Sequence, residues 1–419
     1  MGDKIANLVV TFFVTVLLAR YLGPSDFGIY SYAISITALF AVASHMGLSG
    51  LVVKEIVQKP EERGVTLGTT FGLKLAGVVV GYLMILGYAW GFEGTNDVEF
   101  FAIVIAGVSI IFMPLDIIDY WFQAFVRARH VTVARLAGLA VASLLQGSMV
   151  LLSLSVLYFV AANSIKSLVI AIGLLLIYKF NATLRLGEWR FSGLKAKELF
   201  SQGWVLYLGS IFAVIYMKVD QVMLRWLEGT ESVGTYAIAA QLSEAWYFIP
   251  TAIVASLFPK LISLRQSNKS EFERRFQQLL DLLFILSLVV AMLVTIFAEP
   301  AIALLFGEDY LESADVLVIH IWASIFIFMR AAFSKWILIE NALMFSLVTQ
   351  GAGAVINVLL NLLLIPNYGA QGAAIATLIS YACASFFSLL IYNKTRPVFF
   401  MMVNTLLLPI RYLRSWISK

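Results

Sequence analysis

Cysteine is almost absent: Cys383 stands alone in 419 residues, so no intrachain disulfide can form and dithiol redox chemistry is excluded. Histidine is nearly as sparse. His45, His130 and His320 are too scattered to suggest a metal site. Charge is scarce too, because Asp, Glu, Lys and Arg make up only 13% of the chain, about half the share found in soluble domains. There is no Gly-x-x-x-x-Gly-Lys loop, so ATP is not expected to be a direct driver. No cleavable signal peptide is evident, and the first apolar run would serve as the targeting signal.

What fills the chain instead is apolar. Hydrophobic residues make up 61% of it and the mean hydropathy is +0.90, which defines an integral membrane protein. The apolar runs are roughly 18 to 25 residues long, enough at 1.5 Å per residue to cross a hydrocarbon core of about 30 Å as helix. Strand-like alternation is missing, so an all-α membrane protein is expected. About twelve spans can be drawn, at 5–22, 29–52, 66–90, 100–122, 136–160, 162–180, 203–226, 235–258, 277–298, 313–336, 343–366 and 368–392. The division between the fifth and sixth rests on Ala161, Ala162, Asn163 and Ser164 alone.

Basic residues set the orientation. With the N-terminus inside, 22 of the 29 lysines and arginines fall in inner loops and the tail, including Lys54, Arg127, Lys195, Arg265, Arg275, Arg411, Arg414 and Lys419. Arg20, Lys166 and Arg225 fall at outer ends, and the outer loops are short and acidic. The positive-inside rule thus predicts both termini in the cytoplasm. These positive charges lie in separate loops and form no reading face, so nucleic-acid binding is not expected.

The chain also echoes itself. Arg20-Tyr21-Leu22 followed by Gly28-Ile29-Tyr30 and Ala33 returns as Arg225-Trp226-Leu227 followed by Gly234-Thr235-Tyr236 and Ala239. An even number of spans separates the copies, so two six-helix lobes related by a pseudo-twofold axis along the membrane normal are predicted. The lobes are residues 1–180 and 203–392. Between them runs a cytoplasmic linker, 181–202, whose Leu199 and Phe200 suggest an interfacial segment; a tail, 393–419, is expected along the inner surface.

Leu18-Ala19-Arg20-Tyr21-Leu22-Gly23-Pro24 with Phe27-Gly28-Ile29-Tyr30 resembles the opening of the polysaccharide (O-antigen type) flippases, in the multidrug/oligosaccharidyl-lipid/polysaccharide exporter superfamily. The run Asn361 to Thr377, with Ile365-Pro366-Asn367-Tyr368-Gly369 leading into Gly372-Ala373-Ala374, resembles it too, as do Asp220, Gly234, Tyr236, Pro250 and Phe258-Pro259. The resemblance covers essentially the whole chain. It departs at the start, where the first span begins almost at Met1 and the family has more sequence upstream. It implies two lobes around a cavity that opens to each side in turn, with the first, second, seventh and eighth helices at the seam. The implied cargo is an undecaprenyl-pyrophosphate-linked oligosaccharide moved to the outer leaflet for cell-surface polysaccharide or lipopolysaccharide synthesis. The implied setting is a bacterial or archaeal plasma membrane, among membrane lipids, with a polysaccharide polymerase and chain-length machinery as further partners. No cofactor is implied beyond a proton or sodium gradient.

Such cargo calls for cations within the bilayer, and each charge at mid-span costs about 2.5 to 3.5 kcal/mol on insertion scales. Lys74 with Asp116 and Asp119 in the first half, and Asp281 with Arg330 in the second, are expected to be structural ion pairs. The seventh helix carries Lys218, Asp220 and Arg225, the eighth carries Glu244 at a depth near that of Lys218, and Arg20 ends the first. Two readings stay open. Lys218 and Glu244 form a salt bridge while the arginines snorkel to the interface, or Arg20, Lys218 and Arg225 bind anionic cargo and Asp220 or Glu244 takes the coupling cation.

Weaker signals have ordinary explanations. Gly68, Gly72, Gly77, Gly81 and Gly87 suggest close helix packing, and Asn357 with Asn361 suggests a helix-to-helix hydrogen bond. Pro114, Pro250 and Pro259 suggest bends. Tyr216, Trp246 and Tyr247 could stack on sugars or simply pack. Catalysis is not expected, because a membrane polymerase or ligase should carry a sizeable outer loop and none is present. A cation-coupled drug antiporter of the same superfold is the nearer alternative, disfavoured by the first motif and the basic seam.

Overall fold

The computed structural model describes residues 2–340 and 342–408, with side chains from Asn7 onward; the basic tail residues Arg411, Arg414 and Lys419 lie outside the described residues. Among the described residues there is no strand. Fifteen α-helices follow one another among the described residues: α1 (Gly2–His45), α2 (Ser49–Gln58), α3 (Arg63–Phe92), α4 (Val98–Gly107), α5 (Ile117–Ala124), α6 (Ala128–Leu151), α7 (Val156–Asn181), α8 (Gly193–Leu227), α9 (Thr230–Glu244), α10 (Phe248–Ser267), α11 (Lys269–Phe306), α12 (Glu312–His320), α13 (Ser324–Ile339), α14 (Leu343–Ser385) and α15 (Arg396–Leu406). A 3₁₀ stretch, Val108–Asp116, joins α4 to α5 in one span, and single 3₁₀ turns join α9 to α10 and α12 to α13.

Ten apolar helical segments of the described residues are long enough to cross a bilayer. Two of them are double length. The segments Asn7–Gln58 and Leu343–Leu390 hold 52 and 48 residues, each about twice what a single crossing needs. Both are broken by a glycine. Gly23 sits at φ 69°, ψ 173° and Gly369 at φ 53°, ψ −134°, conformations that a side chain resists. Pro24 follows the first break and Pro366 precedes the second, so neighbouring residues also disfavour a straight helix. Counted as pairs, these segments restore the twelve crossings expected from hydropathy.

One boundary moves. The turn expected at Ala161 to Ser164 lies instead between α6 and α7, where Ser153 takes φ 53°. Asn163 and Ser164 are inside α7, and their polarity is spent across helices: Asn163 Nδ2 donates to Tyr30 Oη at 2.7 Å and Ser164 Oγ to the Ile105 carbonyl at 2.8 Å. In hydrocarbon, polar side chains serve as interhelical contacts as readily as they mark turns. The shift takes Lys166 away from the outer end and sets it about ten residues into α7, roughly 15 Å along the helix.

By packing the chain divides into Met1–Gly234 and Thr235–Lys419. In the first unit α1 is the hub, with α3, α4, α6, α7 and α8 packed on it. At one end of the unit, Val52 and Ile56 of α2 meet Ile118, Trp121 and Phe122 of α5 and Tyr178 of α7. In the second unit α11 packs against α12, α13 and α15. Its Phe272, Phe276 and Leu280 are buried with Phe328, Phe333, Trp336 and the Met402 side chain of α15. The helix α15 is therefore seated on the bundle through Val398 and Met402, both fully buried.

The glycine row of α3 has two jobs. Gly77 and Gly81 let α1 approach at Ala43 and Phe40, as expected of helix packing. Gly64, Gly68 and Gly72 instead receive the linker, with the Arg190 backbone over Gly68 and the Phe191 ring over Gly72. Arg190 N–H donates to the Gly64 carbonyl at 3.1 Å and Ser192 N–H to Thr69 Oγ1 at 3.0 Å. The linker is thus a strap laid in a groove that only small residues leave open.

Gly23 provides a clean test of the break in α1, because a Cβ added there meets nothing within 4 Å. Gly23→Ala should destabilise the protein by about 1 to 3 kcal/mol through backbone strain alone. A lowered melting temperature in detergent, with Gly50→Ala unchanged as control, is the expected result.

Candidate functional site

The echo in the sequence is a place where its two copies touch. Gly28 of α1 lies against the Thr230 carbonyl and the Gly234 backbone, and Gly234 lies against the Pro24 carbonyl, with no room for a Cβ at either glycine. Ser25 Oγ and Thr230 Oγ1 share a hydrogen bond at 3.2 Å beside this crossing. The tyrosines of the two copies turn elsewhere. Tyr30 accepts from Asn163, while Tyr236 Oη reaches Thr377 Oγ1 at 3.4 Å.

From this crossing α8 runs through the first unit and is fastened at both ends. At the end predicted to face out, Arg225 forms ion pairs with Glu93 at 3.3 Å and Glu99 at 3.1 Å. Tyr32 Oη donates to Glu93 at 2.7 Å, and Trp226 Nε1 donates to Tyr88 Oη at 2.9 Å. One turn further in, Ser35 Oγ donates to Gln221 Oε1 at 2.6 Å. At the opposite end Lys195, only 5% exposed, contacts Glu55 at 2.5 Å, Glu62 at 2.8 Å and Glu198 at 3.2 Å. Lys59 joins Glu198 and Glu55 at 3.2 and 3.3 Å. Those hydrogen bonds hold the Lys59 ammonium above the usual lysine range.

The seventh-helix candidates therefore have different surroundings. Arg225 belongs to the outer ion-pair network and Asp220 is buried. Lys218 is half-buried and, among the described residues, makes no hydrogen bond or ion pair. It lies about nine residues before the end of α8, roughly 14 Å along the helix. Arg20 is exposed, just before the break at Gly23. Glu244 is half-buried at the end of α9.

Lys166, which the sequence places at an outer end, has the same surroundings as Lys218. It is half-buried, also has no hydrogen bond or ion pair among the described residues, and lies at nearly the same distance from the outward end as Lys218. Helices α7 and α8, which carry the two lysines, both pack on α1. The residue was missed because the misplaced turn put it at the interface. Its signal was the absence of any acid on α7 to answer it.

The expected pairing of Lys74 with Asp119 does not form. Asp119 accepts from Arg135 at 2.6 Å, one helix further on. Lys74 is 1% exposed and its Nζ has no hydrogen-bond partner; it lies 5.4 Å from the centre of the Tyr120 ring, with Asp116 as its nearby countercharge. Cation–π and longer-range attraction replace the salt bridge. In the second unit Asp281 Oδ1 accepts from Thr405 Oγ1 at 2.7 Å and Gln277 Nε2 at 2.8 Å, while Arg330 donates to the Ala384 carbonyl at 3.2 Å. Asp281 thereby ties α11 to α15.

The polar and aromatic candidates also have definite places. Asn361 Nδ2 donates to Asn357 Oδ1 at 3.3 Å, and Asn357 Nδ2 to Thr377 Oγ1 at 3.4 Å, all buried between the two halves of α14. Trp246 lines an apolar cavity of about 290 Å³ with Leu242, Leu293 and Phe297. Tyr247 packs beside the core of the second unit and Tyr216 is buried.

The fold is that of a polytopic helical membrane protein with half-buried cations in its spans and two copies of one motif in contact. The profile of the polysaccharide biosynthesis protein family matches residues 17–315, and that of the lipid II flippase MurJ matches residues 247–412. The chain belongs to the polysaccharide biosynthesis protein family, a family of multi-pass membrane flippases. It is similar to the probable flippase AglR of Haloferax volcanii, with 24% identity over 395 residues, covering 92% of this chain and 80% of that protein. Its fold is that of an inward-facing multidrug resistance MATE family transporter of the MOP superfamily, at TM-score 0.77 and 14% identity, covering 95% and 96% of the two chains. The lipid II flippase MurJ in an inward closed conformation aligns at TM-score 0.72 and 14% identity, covering 98% and 92%.

A buried ammonium without a hydrogen-bond partner gains little from its charge, whereas a paired carboxylate is costly to remove. Lys74→Met should leave the melting temperature unchanged or raised, while Asp119→Ala should lower stability by about 1 kcal/mol because Arg135 is half-exposed. A marked loss in Lys74→Met would show that Asp116 is a full ion-pair partner.

Proposed function

We propose that the protein carries an undecaprenyl-pyrophosphate-linked oligosaccharide from the inner to the outer leaflet by alternating access. The observation that carries this reading is the pair of half-buried lysines, Lys166 and Lys218, at one depth and without a carboxylate partner among the described residues. Each costs about 2.5 to 3.5 kcal/mol to place at mid-span, and an anionic headgroup crossing the bilayer is the ligand that offsets it. Arg20, close to the break at Gly23, would receive the same headgroup nearer the outer surface. Arg225 would act at one remove, since its ion pairs hold α8 against the acidic outer loop.

The sign of these charges separates the cargo classes. A cationic drug would be repelled by lysines at this depth, so the antiporter reading has its support in the shared fold alone. Family membership favours transport over catalysis, and we assign the protein no enzymatic activity. Asp220 and Glu244 are our candidates for a coupling proton or sodium ion. The setting we propose is the plasma membrane of a bacterium or archaeon with both termini in the cytoplasm, where a polymerase and chain-length machinery would take up the exported unit.

Purified protein in vesicles with a fluorescent lipid-linked oligosaccharide tests this directly. Wild type should move the label across, and Lys166→Ala or Lys218→Ala should slow it by at least about tenfold, the loss of one charge-assisted contact of about 1.5 to 3 kcal/mol. Equal protein levels and melting temperatures would separate mechanism from folding. Transport of a cationic drug with no movement of the oligosaccharide would overturn the reading. Imposing a proton or a sodium gradient in the same vesicles identifies the coupling ion, and Asp220→Asn and Glu244→Gln should each abolish the response if that residue carries it.

A further inference from the structure

Helices α10 and α11 form a hairpin whose turn, at Asn268, lies on the side predicted to be cytoplasmic. Leu257, Leu261 and Leu264 recur along one face of α10, and Leu279 and Leu282 along the facing side of α11. Between them is a half-open cavity of about 200 Å³, also lined by Lys260, Arg275 and Gln278. With 38 residues α11 is longer than a crossing requires, so its first turns, which read Lys-Ser-Glu-Phe-Glu-Arg-Arg, extend past the hydrocarbon. Lys260 and Arg275 are therefore at headgroup level, roughly 10 to 12 Å from the turn, with Leu257 and Leu282 one to two turns deeper.

The charge at this level is unbalanced. Lys260 is exposed and has no ion pair among the described residues. Arg275 donates to Glu271 at 2.8 Å and to Gln278 at 3.3 Å, but Glu271 is shared with Arg274 at 2.7 Å. One carboxylate serves two guanidiniums. From 260 to 275 there are five basic residues against two acidic ones. Arg265 has its own partner in Glu340, and Lys269 pairs with Glu273 at 3.9 Å. Positive charge therefore remains at Lys260 and, because Glu271 is divided between two guanidiniums, at the Arg274–Arg275 pair, of which Arg275 lines the slot opposite Lys260.

We propose that this slot binds an anionic phospholipid of the inner leaflet. The phosphodiester sits between Lys260 and Arg275, and the start of one acyl chain lies among Leu257, Leu261, Leu279 and Leu282. A basic pocket between spans on the cytoplasmic side is suited to an anionic headgroup and its field. A zwitterionic lipid would bring its own cation to a site that already has two. The small volume accommodates part of one acyl chain.

The protein in neutral detergent can be titrated with phosphatidylglycerol or phosphatidylcholine while its melting temperature is followed. Phosphatidylglycerol should raise the melting temperature and phosphatidylcholine should not. The double variant Lys260→Gln, Arg275→Gln should weaken the apparent affinity for phosphatidylglycerol by at least about tenfold, and Lys269→Gln should retain it. Equal responses to both lipids, or an undiminished response in the double variant, would overturn the proposal. So would a stronger response to undecaprenyl phosphate that the double variant loses, because the slot would then be a carrier site. Should the double variant not fold, Lys260→Gln alone, with phosphatidylglycerol retention read by native mass spectrometry, decides between the same outcomes.

Discussion

Lys195 is the ion on which the position of α8 depends. Its ammonium is buried among Glu55, Glu62 and Glu198, where three acceptors balance the loss of water. Glu55 belongs to α2 and Glu62 to the segment that links α2 to α3, so one side chain joins that corner of the first unit to the base of α8. The strap over the α3 glycines works in the same place by shape instead of charge. Together they dock the polar segment 181–202 on the first unit. At the far end Arg225 repeats the device with Glu93 and Glu99, so the helix that carries Lys218 is held at both termini.

A helix fixed in this way gives the mid-span charges a defined setting. Flexible side chains at a bilayer interface satisfy themselves by snorkelling, and their charge says little about function. Lys218 and Lys166 are too far from either end of their helices for that. Lys74 shows the opposite use of burial. It is enclosed beside an aromatic ring, and such a charge contributes to the interior of a bundle and is not available to a ligand.

Much of this was legible in the sequence, because hydrocarbon leaves the chain few choices. Helical spans, their number and the double crossings broken at Gly23 and Gly369 follow from run length, glycine and proline. The turn between α6 and α7 was not legible. It is made by Leu152-Ser153-Leu154-Ser155, which carries no strong punctuation, while Asn163 and Ser164 look like a turn and act as rungs between helices. Lys166 was misplaced as a direct result. Asp119 was assigned the wrong partner because depth along a helix gives a level in the membrane but no azimuth. Arg135, placed by its sequence position in a loop, reaches back from the first turns of α6. The strap was invisible for a related reason, since glycine spacing reveals a groove without saying what fills it.

The crossing of Gly28 with Gly234 bears on how the duplicated chain could drift. After a duplication each copy is free to change wherever its surroundings no longer include the other. At this crossing the surroundings of one copy are the other copy, backbone against backbone. A side chain gained on either strand would have to be accommodated by its own twin, and neither twin has anything to give up. The resemblance between residues 20–33 and 225–239 is then less a relic of common ancestry than a standing agreement between two partners in contact. Sequence memory of the duplication persists where the two copies of the motif lie in contact.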